Sequence, residues 1–417
     1  MPPTDRDLAG VAWLKEGPLA RLLAILDRDG EEARVIGGAV RNALIGEEPS
    51  EFDVATTAIP SEVTSRAQAA GFKAVPTGID HGTVTVVVAG TPFEVTTLRE
   101  DVETFGRKAI VRFGRDWKTD AERRDFTINA LSVTANGVVH DYVGGLADLA
   151  ARRVRFIGEP AKRIAEDYLR ILRFFRFQAG YGEGPPDAAG LHAAITARDS
   201  LGQLSRERVR MELLKLLSAQ HAVPTLAVMS EAGLLDRLLG GVPYLASLSN
   251  LIKVEAAGGV APAASRRLGA LAVFVKEDAE RLGQRLRLTN EEIERLASMG
   301  DGWWHIDAAA GERPARALIY RIGSGRFTDR VLVAWARSDA GAADAAWHDL
   351  VTLPQRWNAP AFPIKAADFM ARGVAKGPLL GASLRRAEEA WISADFPTDN
   401  VAIAAIVEAT LADPTPQ

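Results

Sequence analysis

Two carboxylates separated by one aromatic residue, in Glu51-Phe52-Asp53, follow closely on the run Val35-Ile-Gly37-Gly38-Ala-Val-Arg41-Asn42. Acidic oxygens at that spacing suit a hard divalent cation. Gly37 and Gly38 allow a sharp turn that brings backbone N–H groups against a ligand, and a helix starting there directs its unpaired N–H groups to the same place. The two features together describe a phosphate cradle, with Arg41 on its helix, beside a metal site. Singly, each has a plainer reading: a glycine pair is commonly just a turn, and E-x-D a solvated strand edge. Their order and closeness are what join them.

These residues need a scaffold. The apolar pair Val35-Ile36 reads as a short strand running into the glycines. At strand period Glu51 and Asp53 share one face and Phe52 takes the other. Apolar positions at helical spacing predict a helix over 18–28, and Pro60 with an acid in the first turn predicts another from residue 58. The β-branched runs Gly82–Val88 and Pro92–Thr97, parted by Gly90, predict paired strands. Glu94 is an acid inside the second run, so either a cation sits beside it or it faces water. Residues 99–122 mix charges with little periodicity and predict a flexible loop.

Further along, Arg123-Arg124-Asp125-Phe-Thr-Ile-Asn-Ala-Leu131 reads as a helix start carrying two guanidiniums and an acid. Such a group suits a triphosphate and a ribose, or forms a surface ion cluster. Glu166-Asp167-Tyr-Leu-Arg170-Ile-Leu-Arg173-Phe-Phe-Arg176 reads as one helix, with Glu166, Arg170 and Arg173 on a stripe and Asp167 beside Arg170. Alone, that pattern is a salt-bridged solvent face. Beyond residue 160 the strands disappear and the chain is Ala/Leu-rich and helical, with a cap expected at Asn290. Glycines spaced around Lys376 and Pro378 offer a turn that either grips a phosphate or packs between helices.

Composition sets the outer limits. A chain of 417 residues is too long for one ordinary core, so several domains are expected. With no cysteine, thiolate metal sites and disulfides are excluded, which suits a reducing cytoplasm. No apolar run reaches membrane-spanning length, and no basic-then-apolar leader opens the chain. Only six histidines are present, none at the spacing of a helical zinc pair. The His-Asp steps at His140 and His348 hint at a phosphohydrolase, but a lone step is a weak signal. A net charge of −4 is unusual for a nucleic-acid binder, yet Arg152–Arg176 holds eight Lys/Arg against three Asp/Glu, a local excess able to meet RNA phosphates.

The ordered motifs resemble those of the polymerase β-like nucleotidyltransferases. They resemble most the class II branch of CCA-adding tRNA nucleotidyltransferases and bacterial poly(A) polymerases. The glycine run matches G-G-x-V-R-(D/N), the acids match D-x-D, Arg123–Leu131 matches R-R-D-F-T-I-N-A-L, and Glu166–Arg170 matches E-D-x-x-R. His140–Asp148 is similar to the hinge segment, Arg206–Leu217 to a helix whose basic residues brace the neck, and Gly373–Gly381 to a tail element that contacts RNA. Glu51 in place of Asp and Asn42 in place of the commoner Asp are departures.

The resemblance implies an α+β fold: a nucleotidyltransferase head with a small mixed sheet over 1–136, then an all-α neck over 137–220, body over 221–350 and tail over 351–417. It implies a cytoplasmic, Mg²⁺-dependent enzyme adding CCA to the tRNA 3′ end from CTP and ATP by two-metal phosphoryl transfer. Glu51 and Asp53 would hold metal, with Glu94 as a third catalytic carboxylate. Gly37, Gly38, Arg41, Arg123, Arg124, Asp125, Asp167, Arg170, Arg173 and Arg176 would bind nucleotide. A poly(A) polymerase, an enzyme adding only CC or only A, and a non-catalytic RNA-binding protein are the alternatives. The absence of a long basic C-terminal extension favours CCA addition.

Overall fold

The computed structural model describes residues 7–78, 82–105 and 108–412. Its contacts divide the chain into two units, Met1–Leu239 and Gly240–Gln417. The α+β class implied by the motifs is what the chain adopts, with every strand in the first unit.

A seven-stranded sheet forms the head. Its strands are β1 (Ala33–Ile36), β2 (Asp53–Thr56), β3 (Lys73–Gly78), β4 (Thr83–Val88), β5 (Thr91–Thr97), and, after a separate two-stranded ribbon of β6 (Arg99–Phe105) and β7 (Lys108–Phe113), β8 (Ser132–Thr134) and β9 (Val139–His140). The order across the sheet is β3-β4-β5-β2-β1-β8-β9. All pairs are antiparallel except β2 with β5. The β4–β5 hairpin is the paired unit expected, and its alternation buries Val84, Val86, Val88, Phe93 and Val95.

Two helices, Pro18–Leu26 and Pro60–Ala69, pack on these strands, and a short helix before them packs on the first. Helix α1 (Ala12–Lys15) is a single turn, and α2 (Pro18–Leu26) starts on a proline and buries Leu19, Leu22, Leu23 and Leu26, the spacing of one helical stripe. Full burial of each such leucine contributes about 1.5–3 kcal/mol. After α3 (Gly38–Leu44) comes α4 (Pro60–Ala69), again with proline in its first turn and Glu62 beside the helix N-terminus.

The flexible loop expected over 99–122 is instead the β6–β7 ribbon followed by α5 (Trp117–Glu122). Cross-strand backbone pairing satisfies this polar stretch without a hydrophobic pattern to announce it. Its base is fixed to the head by Leu98 N donating to Thr56 O and Gly114 N to Leu98 O, both at 2.8 Å. The sheet runs past residue 136 into β9.

From here the unit is helical: α6 (Gly145–Ala150), α7 (Pro160–Glu166), α8 (Leu169–Tyr181), α9 (Ala188–Thr196), α10 (Arg206–Leu217), α11 (Ala222–Glu231) and α12 (Leu235–Leu239). The Asp141 carboxylate starts α6 by accepting from the backbone N–H of Val143, Gly144, Gly145 and Leu146. Head and neck share an aromatic core, with Phe126 against Phe156 at 4.8 Å and Phe177 at 5.2 Å, and Phe156 against Phe174 at 5.3 Å.

Among the described residues the second unit has helices and no strand. A buried ion network ties helix Leu245–Ala257 to helices Ala264–Ala272, Asn290–Gly300 and Ser324–Arg337. In it Arg266 bridges Glu255 and Asp329, both at 2.7 Å, while Arg267 takes Glu255 and Arg295 takes Asp329. The cap expected at Asn290 falls one residue earlier: Thr289 accepts from Glu292 N while the Glu292 carboxylate accepts from Thr289 N. Threonine with Glu three places on is a capping box, which asparagine at that position would not complete. No helix among the described residues is long and apolar enough to cross a membrane.

Candidate active site

Strand β1 ends at Ile36 and Gly37 turns the chain with φ +68°, a conformation that strains any residue with a Cβ. Gly37 N donates to Leu131 O at 2.9 Å, so the turn is pinned to the segment carrying Arg123–Asn129. Gly37 is buried with its N–H engaged, and the helix that follows has only seven residues, so the first N–H groups from half-buried Gly38 onward, more than a long helix dipole, are what this element offers a ligand. Arg41 is buried beneath it. Its guanidinium donates to Asn42 Oδ1, to Asn129 Oδ1 at 2.5 Å and to the Tyr181 hydroxyl at 2.6 Å, and lies 3.8 Å from the Tyr181 ring centre. Burial lowers its pKa from the usual arginine value. Among the described residues it pairs with no carboxylate, and its partners here are neutral. A Cβ on Gly38 would lie 3.6 Å from Arg41 Nη2, so turn and guanidinium are contiguous.

Asp53 opens β2 and stands opposite Glu94 across the parallel β2–β5 pair. Neighbouring strands lie roughly 4.8 Å apart, so the two carboxylates sit side by side at one level. The Asp53 carboxyl is held above the ordinary aspartate range. Partial desolvation raises it, Glu94 raises it further, Arg124 opposes, and Glu51 adds to the rise. Glu51 itself lies outside the strand, in the lead-in, since the register begins at Asp53. The strand-face expectation for it is therefore corrected: β2 starts two residues late because the Ile36 partner is the last residue before the glycine turn. Among the described residues no three histidine or acidic side chains gather closely enough to make a ready metal cage.

Arg123, Arg124 and Asp125 close a helix instead of starting one. Arg123 caps the C-terminus of α5, and a 3₁₀ turn, Thr127–Asn129, follows. Buried Asp120 holds both arginines, Arg123 Nε donating at 2.8 Å and Arg124 Nη2 at 2.9 Å. Burial pushes the Asp120 carboxyl up, but Arg124 and Arg123 outweigh it and hold it below the usual range. Asp125 is also buried and already engaged. Its Oδ1 accepts from Phe126 N and Asn129 Nδ2, and its Oδ2 from Arg173 Nε at 2.7 Å. Arg173 thus joins the head motif to the neck, and Arg176, next along α8, donates to Glu212 Oε2 at 2.5 Å.

The single helix expected over Glu166–Arg176 is broken. Asp167 ends α7 in extended conformation (φ −155°, ψ 108°), and α8 starts at Leu169. Asp167 and Arg170 do not pair. Arg208 of α10 grips the Asp167 carboxylate with both Nη atoms, at 3.2 and 2.5 Å, while Leu169 N also donates to it. Arg170 goes to Glu166 and to Arg163 O. The Asp167 side opens on a pocket of about 420 Å³ lined by Glu166, Tyr168, Gln203, Ser205 and Arg208. Sequence reading missed Arg208, Asn129 and Tyr181 as members of this constellation. A half-buried acid without a local side-chain partner is the signal that calls for Arg208, but only once the helix break is known.

The local cationic excess also resolves. Arg152 pairs with Glu183, Arg153 and Arg155 with Asp148, Lys162 with Glu159, Arg163 and Arg170 with Glu166, Arg173 with Asp125 and Arg176 with Glu212. All eight are matched by carboxylates, five of them by acids from outside the stretch, so the local excess is balanced by neighbouring acids once the chain is folded.

Residues 33–155 match the family described as poly A polymerase head domain, and residues 191–248 match the probable RNA and SrmB-binding site of polymerase A. The chain is 35% identical over 381 residues to the mitochondrial CCA tRNA nucleotidyltransferase 1 of Mus musculus, covering 89% of this chain and 86% of that protein. It is 29% identical over 414 residues to the CCA-adding enzyme of Levilactobacillus brevis, covering 94% and 98%. The crystal structure of the Bacillus stearothermophilus CCA-adding enzyme in complex with CTP superposes with a TM-score of 0.75 at 25% identity, over 95% of this chain and 97% of that one.

Proposed function

The chain belongs to the class II family of CCA-adding enzymes and poly(A) polymerases, and on that premise we propose that it adds CCA to the 3′ end of tRNA from CTP and ATP. The observation that carries the reading is the pairing of Asp53 with Glu94 at one level of the sheet, beside the Gly37–Gly38 turn and Arg124. Partial burial, then Glu94 and Glu51 against the opposing Arg124, raise the Asp53 carboxyl, and carboxylate oxygens set side by side in this way are hard donors that suit Mg²⁺. Glu51 and Asp53 would hold it, and the metal would supply charge stabilisation of the transferred phosphoryl group and activation of the 3′-hydroxyl.

The chain's own residues do the rest. The Gly37–Gly38 turn, through the N–H groups from Gly38 onward, and Arg41 present donors to the triphosphate, and Arg123 and Arg124, preset by Asp120, add fixed positive charge next to the carboxylates. Asp125 and Arg173 hold that segment against α8, which orients the nucleotide relative to the neck. At the base, Asp167 accepts from the exocyclic amino group that cytosine and adenine share, and Arg170 donates to the adjacent ring nitrogen. Uracil and guanine present the opposite pattern and leave both groups unpaired. For this Arg170 exchanges its Glu166 contact for the base, while Arg208 keeps Asp167 aimed.

The test is incubation of the purified chain with Mg²⁺, labelled CTP or ATP and a tRNA ending at the discriminator base. The expected product ladder stops at three added nucleotides and requires CTP first. Long tails from ATP alone would make it a poly(A) polymerase, and no incorporation would leave a binding protein.

A further inference from the structure

Asp53 is fixed by the ladder on both sides, to Ile36 of β1 and Glu94 of β5, whereas Glu51 lies beyond it. What meets the lead-in is an aromatic contact. The half-buried Phe52, between the two acids, packs against Trp13 of α1 with ring centres 5.1 Å apart and planes at 52°. Such tilted pairs add directional preference to burial, so the contact restricts the Phe52 side chain and steadies the lead-in that carries Glu51.

Trp13 is itself held firmly enough to do this. The segment leading to it bridges the far edge of the sheet at Asp7–Val138, with Leu8 N donating to Gly137 O at 2.8 Å. Gly137 approaches Ala9 so closely that a Cβ there would lie 2.2 Å from Ala9 N. Leu8 and Leu14 are buried, and Val11 N and Leu14 N close successive turns onto Leu8 O and Val11 O. The N-terminal strap therefore spans from the β8–β9 turn to the entrance of β2 and ends with the indole on Phe52.

We propose that Trp13 is a positioning residue for the metal site: through Phe52 it sets the aim of Glu51, the ligand that the sheet does not fix. The longer stem of glutamate makes such support more necessary here, because one more rotatable bond must be held. The inference rests on the reading of Glu51 and Asp53 as ligands, and its test separates the two.

The probe is Mn²⁺ alone, titrated into the full chain and followed by the loss of its free-ion electron paramagnetic resonance signal, with thermal melting in metal-free buffer alongside. Trp13→Ala should weaken Mn²⁺ binding roughly tenfold or more, the usual cost of removing a group that orients a metal ligand. Trp13→Phe, which keeps a ring, should recover most of the affinity. If Trp13→Ala fails to fold, Phe52→Leu removes the same ring contact and is read in the same way. A melting temperature that falls while Mn²⁺ affinity stays at the parental value would make the contact purely structural and overturn the inference. Asp53→Ala is the control. Loss of binding there with full binding in Trp13→Ala sinks only the clamp, and full binding in both sinks the ligand assignment and the clamp with it.

Discussion

At the scale of single residues, the arrangement around Asp167 gives a sharp expectation. Its carboxylate is held by Arg208 and Leu169 N, and on the proposed reading its loss would remove the acceptor that distinguishes an exocyclic amino group from a carbonyl. Asp167→Ala should lose discrimination of CTP and ATP against UTP and GTP by roughly tenfold to a few hundredfold, the range set by one unpaired buried group. Arg208→Ala should lose it in the same direction, by less, because the carboxylate remains but is no longer aimed. Competition assays with mixed nucleotides read both, and parental preference in both variants would reduce the pair to a structural salt bridge. The residue types at this site were legible because they form ordered strings: Gly37-Gly38, Glu51-Phe52-Asp53, Arg123-Arg124-Asp125, Glu166-Asp167. Their partners were not. Arg208 is 41 positions from Asp167 and Tyr181 is 140 from Arg41, and contacts at that separation are set by helix packing that no local string encodes.

Elements were legible where burial writes a period and illegible where backbone pairing alone does the work. The leucine stripe of α2 and the valine alternation of β4 announce themselves, while the polar ribbon β6–β7 reads as a loop. The break at Asp167–Tyr168 is hidden because both flanking segments continue a helical pattern. Since the ribbon's base is tied to β2 and Leu98, shortening it within residues 99–113 should leave addition of the two C residues and stall the final A. A product ladder on a gel shows the arrest, and full-length CCA from the shortened variant would exclude any part for the ribbon in the switch between nucleotides. In the helical unit, Thr289→Ala removes the side-chain half of a capping box and should lower stability by about 1 kcal/mol, measured by denaturant unfolding. Asn290→Ala should cost less, since that side chain is not the cap.

For the whole molecule, Glu51, Asp53 and Glu94 belong to the first unit, Met1–Leu239, and a large part of the helical surface to the second. Asp53→Ala should therefore abolish transfer while leaving tRNA affinity nearly unchanged, and near-normal incorporation would remove Asp53 from the chemistry. Paired carboxylates give the molecule an acid limit. At Asp148, burial pushes the carboxyl up, but hydrogen bonds from Thr127, Arg153 and Arg155 outweigh it and hold it below the usual range. A carboxyl depressed on folding stabilises the protein above its unfolded value of about 3.9 and loses that contribution as pH falls through the folded value. Asp148→Asn should thus lower the melting temperature at neutral pH and flatten its decline below about pH 4, and melting curves between pH 3 and about pH 7 read both effects. An unchanged acid slope would assign the limit to other carboxylates such as Asp120 and Asp125.

The parallel pairing of β2 with β5 carries a consequence for how this chain tolerates changes of length. Asp53 and Glu94 share a level only through register, and the 40 residues between them contain a helix and two strands that can vary in composition without moving either acid. A single residue inserted ahead of Glu94 within Thr91–Thr97 is another matter, since the strand period would send Glu94 to the opposite face and Phe93 or Val95 out of the core. Insertions and deletions should then be absorbed in the connections between neck helices and purged from β5, where a change of length is as severe as replacing the carboxylate itself.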